Sequence, residues 1–421
     1  MVGLWLLVPE HLRLGTWDLL RAWTNQPTHR VEPRLALQLV HEAALCVTGI
    51  RQGRTLSQKG FELANGLPFV ASDHAIHDLL DRHTLQQAQQ IQLALGLIRR
   101  ARRHFPGRLL AIDPHRLTSY SKRQMRRHRS SHKQEQKAQK CSQTFFALDV
   151  ESCQPVCLLT HSASRTATEA TAELLPLAQA ILKPRGTRPL VLADSEHFTL
   201  EIIDQIVPQA GFDLLVPMPN QPYYREQLKQ TPSEAFIARW AGLAIAKIPL
   251  DRGPDRPTIY QLVQRCGERP SDYRYKGFWC TADRNEVQDL IVEFPKRWHI
   301  EEFFHDHQSL GWKRAGTLNL NIRYGQMSLA LIAQAVLHQL RQRLGDPFIH
   351  WQADHLAKKL LAGLDGDIRV QKDTIIVTYY NAPEAQRLCE HYQNLPEKLR
   401  MEGIEPGIPW LYNFKLDFRF K

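Results

Sequence analysis

Three acidic residues have the type and setting to act on a cation or a proton: Asp113, Asp194 and Glu301. Asp113 closes the apolar run RLLAID and precedes Pro114, which cannot donate to a ladder and pushes the residue before it to extended geometry. Its carboxylate is therefore expected at a strand's end. Asp194 closes LVLADS in the same manner, so two acids emerge where apolar strands stop, the place where open α/β sheets bind ligands. Taken singly, each is also an ordinary turn residue, and Asp194 could cap a helix beginning near Phe198. Glu301 belongs to a helical stretch, FPKRWHIEEFFHDHQSLGWK, in which Phe294, Arg297, Glu301 and Gln308 have offsets of 0, 3, 7 and 14. At ~100° per residue these four fall within about 60° of one another, with Glu302 roughly 100° away. If that stripe faces the sheet's crevice, Glu301 joins Asp113 and Asp194 around hard cations, which prefer oxygen ligands. The plainer alternative is an exposed Arg297 to Glu301 ion pair worth a few tenths of a kcal/mol, and spacing alone favours it.

The elements that must position these acids follow from apolar periodicity. WDLLRAW, LALQLVHEAALCV and DLLDRHTLQQAQQIQLALGLIRRARRHF place apolar residues at helical spacing, giving a helical N-terminal domain over residues 1–105. Within it RTLSQKGFELANGLP, opened by Ser57, is a weak helix-turn-helix candidate. After Pro106 and Gly107 the runs RLLAID, TFFALDV and PVCLLTH read as three consecutive strands. The helix TATEATAELLPLAQAILK follows, then strand PLVLADS, helix LEIIDQIVPQ and strand DLLVPMP, an α/β region with a mixed sheet over 106–219. AIAKIPL, TIYQLVQRC and YKGFWCTA predict a β-rich insertion over 220–283. Helical periodicity returns over 284–345, and the C-terminal region 346–421 predicts a hairpin in IRVQKDTIIVTYYN and a helix in PEAQRLCEHYQNLPEKLR.

Composition and charge narrow the partner. Among 421 residues, 43% hydrophobic and 23% charged is ordinary globular usage, and no apolar run approaches the ~18 residues of a membrane span. The opening MVGLWLLVPEHLRLG lacks a basic leader and is interrupted by Glu10, so no export signal is expected. Seven Cys without CxxC pairs predict neither a disulfide framework nor a zinc ribbon, and a reducing cytoplasm is the expected compartment. The net charge of +11 is concentrated: residues 101–140 hold twelve Lys/Arg against Asp113 and Glu135, a net of +10. A run this dense repels itself unless a polyanion neutralises it, and nucleic acid supplies the closest spacing of such charge. A solvated basic loop is the competing explanation.

IDPHR around Asp113, LADSEHFT around Asp194 and FPKRWHIEEFF around Glu301 together resemble the three catalytic motifs of DDE transposases of bacterial insertion sequences. The third motif is similar to the family's Tyr-x2-Arg-x3-Glu-x6-Lys signature, its core reading Arg297, Trp298, His299, Ile300, Glu301. The resemblance covers about residues 106–345. It implies a ribonuclease-H-like core with flanking helices and an inserted β region, beside a helical DNA-binding region and a C-terminal region used in assembly. It also implies that Arg297 contacts phosphate near the cleavage site. Two positions depart: Phe294 replaces the signature's Tyr and Gln308 its Lys, so a hydroxyl and a cation are missing, and Lys313 or Arg314 could supply the charge.

Phosphodiester cleavage by such a trio calls for two Mg²⁺ ions, or Mn²⁺, about 3.5 to 4 Å apart, with Asp113 bridging both and Asp194 and Glu301 each completing one side. Water attacks first to free a 3′-OH, which then attacks target DNA in the same centre. Arg116, Lys122, Arg123, Arg126, Arg127 and Arg129, close after Asp113, would lie along double-stranded DNA, with Gln308 and Lys313 near it on the far side of Glu301. Joining two ends makes a homodimer the working expectation, acting in bacterial cytoplasm at the nucleoid. Two other classes compete: a DNA-binding regulator or inactive transposase relic, and a metalloenzyme using Glu302 and His305, which lacks the second Glu-x-x-His unit a di-iron site needs. Cys153 and Cys157 are a weak metal hint, better read as inert thiols.

Overall fold

A computed structural model describes residues 1–27, 30–47, 56, 59–119, 127–128, 139–253, 256, 258–312 and 319–421. The chain forms two compact units: Met1–Arg102, Leu117–Arg123 and His305–Lys421 make one; Arg103–Arg116 and Gln124–Phe304 make the other.

The second unit is organised by one mixed sheet. Its core strands are β1 (Leu109–Thr118), β2 (Arg127–His128), β3 (Gln139–Asp149), β4 (Gln154–Ser162), β5 (Leu190–Leu192) and β6 (Asp213–Pro217). β1, β5 and β6 are parallel, with Ala111 opposite Leu192 and Leu192 opposite Leu215, while β3 and β4 form an antiparallel pair. The resulting order β4-β3-β1-β5-β6 is the ribonuclease-H-like arrangement expected from the motifs. Leu110, Ala111 and Ile112 are wholly buried, as are Val191 and Leu192, because a parallel strand covered on both faces needs an unbroken apolar run rather than alternation. The crossover from β4 to β5 is the helix Ala167–Leu182, opened by a capping box in which Thr166 and Glu169 satisfy each other's backbone N–H.

The strands expected between 220 and 283 are present as β8 (Leu243–Leu250), β9 (Ile259–Cys266) and β10 (Arg274–Cys280), and they extend the same sheet. β10 pairs antiparallel with β6, setting Trp279 opposite Val216, and β9, β8 and β7 (Phe236–Trp240) continue outward. β7 and the short helix Pro222–Lys229 are additions to the sequence reading; both carry mainly exposed side chains, so neither has the apolar periodicity that betrays a buried element.

The other unit is helical, with a three-stranded sheet of β11 (Gly366–Gln371), β12 (Thr374–Tyr379) and β13 (Lys415–Phe420). β11 and β12 are the expected hairpin; β13 joins it in parallel and was not foreseen. The helix Leu320–Leu344 is buried on nearly every side and packs against Glu32–Ala44, Asp73–Asp81 and Leu85–Ala101. No helix among the described residues is long and apolar enough to cross a membrane. The apolar opening of the chain is core: Leu4, Leu6, Leu7 and Val8 are fully buried, and the Trp5 indole donates to the Gly60 carbonyl at 3.1 Å.

N- and C-terminal segments thus share a core, unlike the separate 1–105 and 346–421 regions expected. Glu10, buried on the helix Val8–Leu14, accepts from Arg13 at 2.8 Å and from the Gln339 amide at 2.6 Å. Arg13 also donates twice to Glu402, at 2.7 and 3.0 Å, so each buried charge has an opposite partner. Beside this network His41 Nδ1 meets Asn65 Oδ1 at 2.8 Å, His41 Nε2 meets His11 Nε2 at 3.0 Å, and His11 Nδ1 meets Thr16 Oγ1 at 3.2 Å. Asn65 Oδ1 can only accept, so His41 donates from Nδ1, accepts at Nε2 from His11, and His11 accepts from the Thr16 hydroxyl. Both rings are neutral in this chain of bonds. Burial holds His11 well below its ordinary value, with the His41 charge adding to it, and burial lowers His41 to about 4 against the opposing Asn65 bond.

Because the unfolded chain binds these protons near pH 6.5 and the folded chain does not, this stability is complete above about 6.5 and is lost as pH falls toward 4, by up to about 1.4 kcal/mol per pH unit for each excluded proton. Chemical denaturation across this range should show the loss, and His41→Gln should flatten it.

Candidate active site

Asp113 and Asp194 are brought together by strand register. The last paired residues of β1 and β5 are Ala111 and Leu192, and each aspartate lies two positions further along its own strand direction. Period-two alternation puts both on the face of that last pair, at the carboxyl ends of adjacent parallel strands ~4.8 Å apart. The strand end expected at Asp113 is corrected in one respect: β1 runs on through Pro114 to Thr118. Its ladder with β5 is already finished at Ala111, so a residue without N–H costs no bond there, while β3 remains its neighbour on the other side.

Asp194 does act as a cap, of the turn Ser195–His197 rather than of a helix near Phe198. Its Oδ1 accepts from the Glu196 backbone at 3.0 Å and from His197 Nδ1 at 2.8 Å, and the His197 ring is buried. Burial pushes the Asp194 carboxyl up, but the His197 bond and charge, the Glu196 N–H and the Arg297 guanidinium outweigh it and leave the carboxyl below its ordinary value. Asp113 shows the reverse. Burial first, then the negative charges of Asp194, Glu301 and Glu196, hold it well above the ordinary range against the opposing pull of Arg297. Asp113 therefore feels both of the other predicted acids, and Arg297 lies among the three.

Glu301 is set by the helix His299–His307. Ile300, Phe303 and Phe304 are its buried residues here, Phe303 and Phe304 meeting Phe146 of β3 at ring distances of 5.6 and 5.3 Å. His299 Nδ1 lies 3.0 Å from the Val150 carbonyl and fixes the first turn. The stripe drawn at a uniform 100° is corrected: Gln288–Glu293 is π-helical, Phe294–Trp298 is 3₁₀ and only then does α-helix begin, so angular offsets change along the segment. In the 3₁₀ turn Phe294 and Arg297 eclipse. Arg297 Nη2 donates to Glu301 Oε1 at 3.2 Å, so the ion pair that spacing favoured is formed, with Arg297 largely buried and stacked beside Trp298. Gln308 belongs to the other compact unit, next to non-helical backbone at Leu310 and Gly311.

The predicted basic residues are placed unevenly. Arg116 makes a two-pronged pair with Glu196, Nη1 to Oε1 at 2.7 Å and Nη2 to Oε2, and its Nε lies 3.4 Å from Gln143 Oε1. Arg127 is exposed on β2, opposite Lys140 of β3. Lys122, Arg123, Arg126, Arg129, Lys313 and Arg314, like Ser57 of the helix-turn-helix candidate, lie outside the described residues. Glu302 and His305 are exposed, and His305 pairs with Asp306. Cys157 is buried with its thiol raised by burial, and all seven cysteines are unbridged.

His197 and Glu196 were not singled out by sequence reasoning. The signal was present, since an Asp followed three residues later by His after a strand is a turn that can close on itself. As a donor set, two adjacent aspartates with an uncompensated Asp113 fit a hard cation. Among the described residues no three His, Cys, Asp or Glu side chains are grouped to hold one as they stand, and Glu301 is bonded to Arg297.

The transposase DDE domain family matches residues 104–335, more than half of the chain, and the chain belongs to that family. Among solved structures it is similar to a piggyBac transposase synaptic complex with hairpin DNA, with 13% sequence identity and a TM-score of 0.45 over 85% of this chain and 79% of that one. No curated protein matches the sequence.

His197→Phe should preserve the buried volume while removing the bond that holds Asp194 down. The Asp194 carboxyl, followed by carbon-detected NMR titration, should then rise from its lowered position, since burial is opposed only by the Glu196 N–H and Arg297; an unchanged titration would show that His197 does not set it.

Proposed function

We propose that this transposase cuts DNA at the ends of an insertion sequence and joins the freed ends to target DNA, with Asp113, Asp194 and Glu301 as the acids of one phosphoryl-transfer centre. The observation that carries the reading is the register that sets Asp113 beside Asp194, together with the charge of Glu301 felt at Asp113. Mg²⁺ or Mn²⁺ held by these carboxylates would supply an activated hydroxyl and stabilise the leaving oxygen.

The chain's own residues do the rest. His197 keeps Asp194 ionised and aimed, whereas Asp113, crowded by like charge, is the carboxylate that gains most from a cation. Arg297 neutralises the acids at rest. Releasing Glu301 into the metal set leaves the guanidinium free for a phosphate, which it can grip with two parallel N–H bonds. Arg116 is already matched by Glu196 and serves to brace the β1 end, while Arg127 and its charged neighbours offer the backbone of duplex DNA a sequence-independent grip. Two copies acting on two ends, in the bacterial cytoplasm at the nucleoid, complete the reading.

A second reading is an inactive relic that retains DNA binding, in which the bond from Arg297 to Glu301 is permanent. Cleavage of DNA carrying the element's own ends decides between them. Asp113→Asn, Asp194→Asn and Glu301→Gln should each lower metal-dependent cleavage by at least about a hundredfold, a loss of roughly 2.7 kcal/mol of transition-state stabilisation, with DNA affinity nearly unchanged. A wild-type protein that binds these ends but never cuts them would establish the relic.

A separate measurement addresses the basic run. Neutralising Arg126, Arg127 and Arg129 together should flatten the dependence of log affinity on log salt by about 0.9 for each phosphate that the protein no longer neutralises. An unchanged slope would assign the run to solvent.

A further inference from the structure

The resemblance leaves two groups of the third motif unreplaced, since Phe294 has no hydroxyl and Gln308 no charge. A cation outside the motif stands against this segment. Lys276 lies on β10, and period-two alternation puts it on the same face as Phe278. Its Nζ is 5.0 Å from the Phe278 ring centre and 5.4 Å from that of Phe294, the two rings themselves meeting edge-on at 4.9 Å. Phe294 is one 3₁₀ turn before Arg297, so β10 delivers an ammonium to the side of the segment that also presents the guanidinium.

We propose that Lys276 is a phosphate-contacting residue of the active centre, acting with Arg297 on the DNA backbone from the Phe294 side of the third motif. This rests on the transposase reading of the Asp113 site. Three observations support it. The Lys276 ammonium has no hydrogen-bond or ion-pair partner among the described residues, whereas the side chains of Arg239, Lys247 and Arg284 are paired with Glu286, Asp283 and Asp289. The two rings hold the ammonium itself by cation–π attraction, which steadies the charge without neutralising it. Although Lys276 is exposed on its outer side, partial desolvation against the rings and then repulsion from Arg297 lower its ammonium from the ordinary lysine value, so the two cations oppose each other. A shared anion between them reverses that repulsion, and a phosphodiester is the anion of the proposed reaction.

The test uses the full chain, a generic DNA duplex of about 30 base pairs for binding between roughly 50 and 200 mM salt, and nicking of supercoiled plasmid in Mn²⁺. Lys276→Met keeps the stem on the two rings and removes the charge; Lys276→Arg keeps the charge. The Met variant should bind roughly three- to tenfold more weakly and lose about 0.9 from the salt slope, and the Arg variant should restore both. Lys276→Gln replaces the Met variant if that protein melts below the assay temperature. Asp113→Asn is the control. If it nicks like wild type, the transposase reading of the site falls. If it is dead but the Lys276→Met slope is unchanged, or Arg behaves as Met, the Lys276 assignment alone falls.

Discussion

Two carboxylates held side by side by parallel strands are the constraint on which the proposed chemistry turns. β1 and β5 must pair in one register to build the core, and that register carries Asp113 and Asp194 to adjacent positions just beyond the apolar runs. Like charges so placed oppose ionisation of each other. The surroundings resolve the conflict asymmetrically: His197 and the Glu196 N–H bond Asp194, and Asp113 is left to the charge of Arg297 and to whatever cation arrives. The site is therefore poised by the same pairing that makes the fold stable.

Much of this was legible in the amino-acid order. The strands of the core are continuous apolar runs bounded by turn residues, and an Asp at the end of each survives any error of one or two residues in the boundary. Glu301 was legible through the Arg-Trp-x-Ile-Glu core more than through spacing. A uniform helix was assumed from Phe294 to Gln308, and the segment instead passes through 3₁₀ and π geometry, which no apolar periodicity announces. β7 and the helix Pro222–Lys229 were missed because they are largely exposed, and β13 because its partner β12 precedes it by a long and mostly helical excursion.

The neighbours of the candidate site that sequence reasoning passed over share a trait. His197 and Glu196 act through bonds to a residue already chosen, and Lys276 approaches from a strand distant in sequence from the motif it faces. Such residues carry no pattern of their own. Arg116 shows the converse: its place in a basic run suggested an open charge, yet the fold supplies it with Glu196. Runs of like charge in a sequence record composition, and only tertiary neighbours decide which charges remain for a ligand.

The interleaving of the chain's beginning and end has a consequence for how the protein is made. The Tyr379 hydroxyl reaches the Val2 carbonyl and the Tyr392 hydroxyl that of Leu6, both at 3.3 Å, while the Trp410 indole bonds Ala64 at 2.8 Å. The N-terminal helices pack on one another and on Leu320–Leu344, but the surfaces around Val2, Leu6 and Ala64 are covered only by residues that follow much later in the chain. During translation these surfaces stay uncovered until their partners are made, and a fragment ending short of Trp410 leaves the surface at Ala64 exposed to non-native contacts.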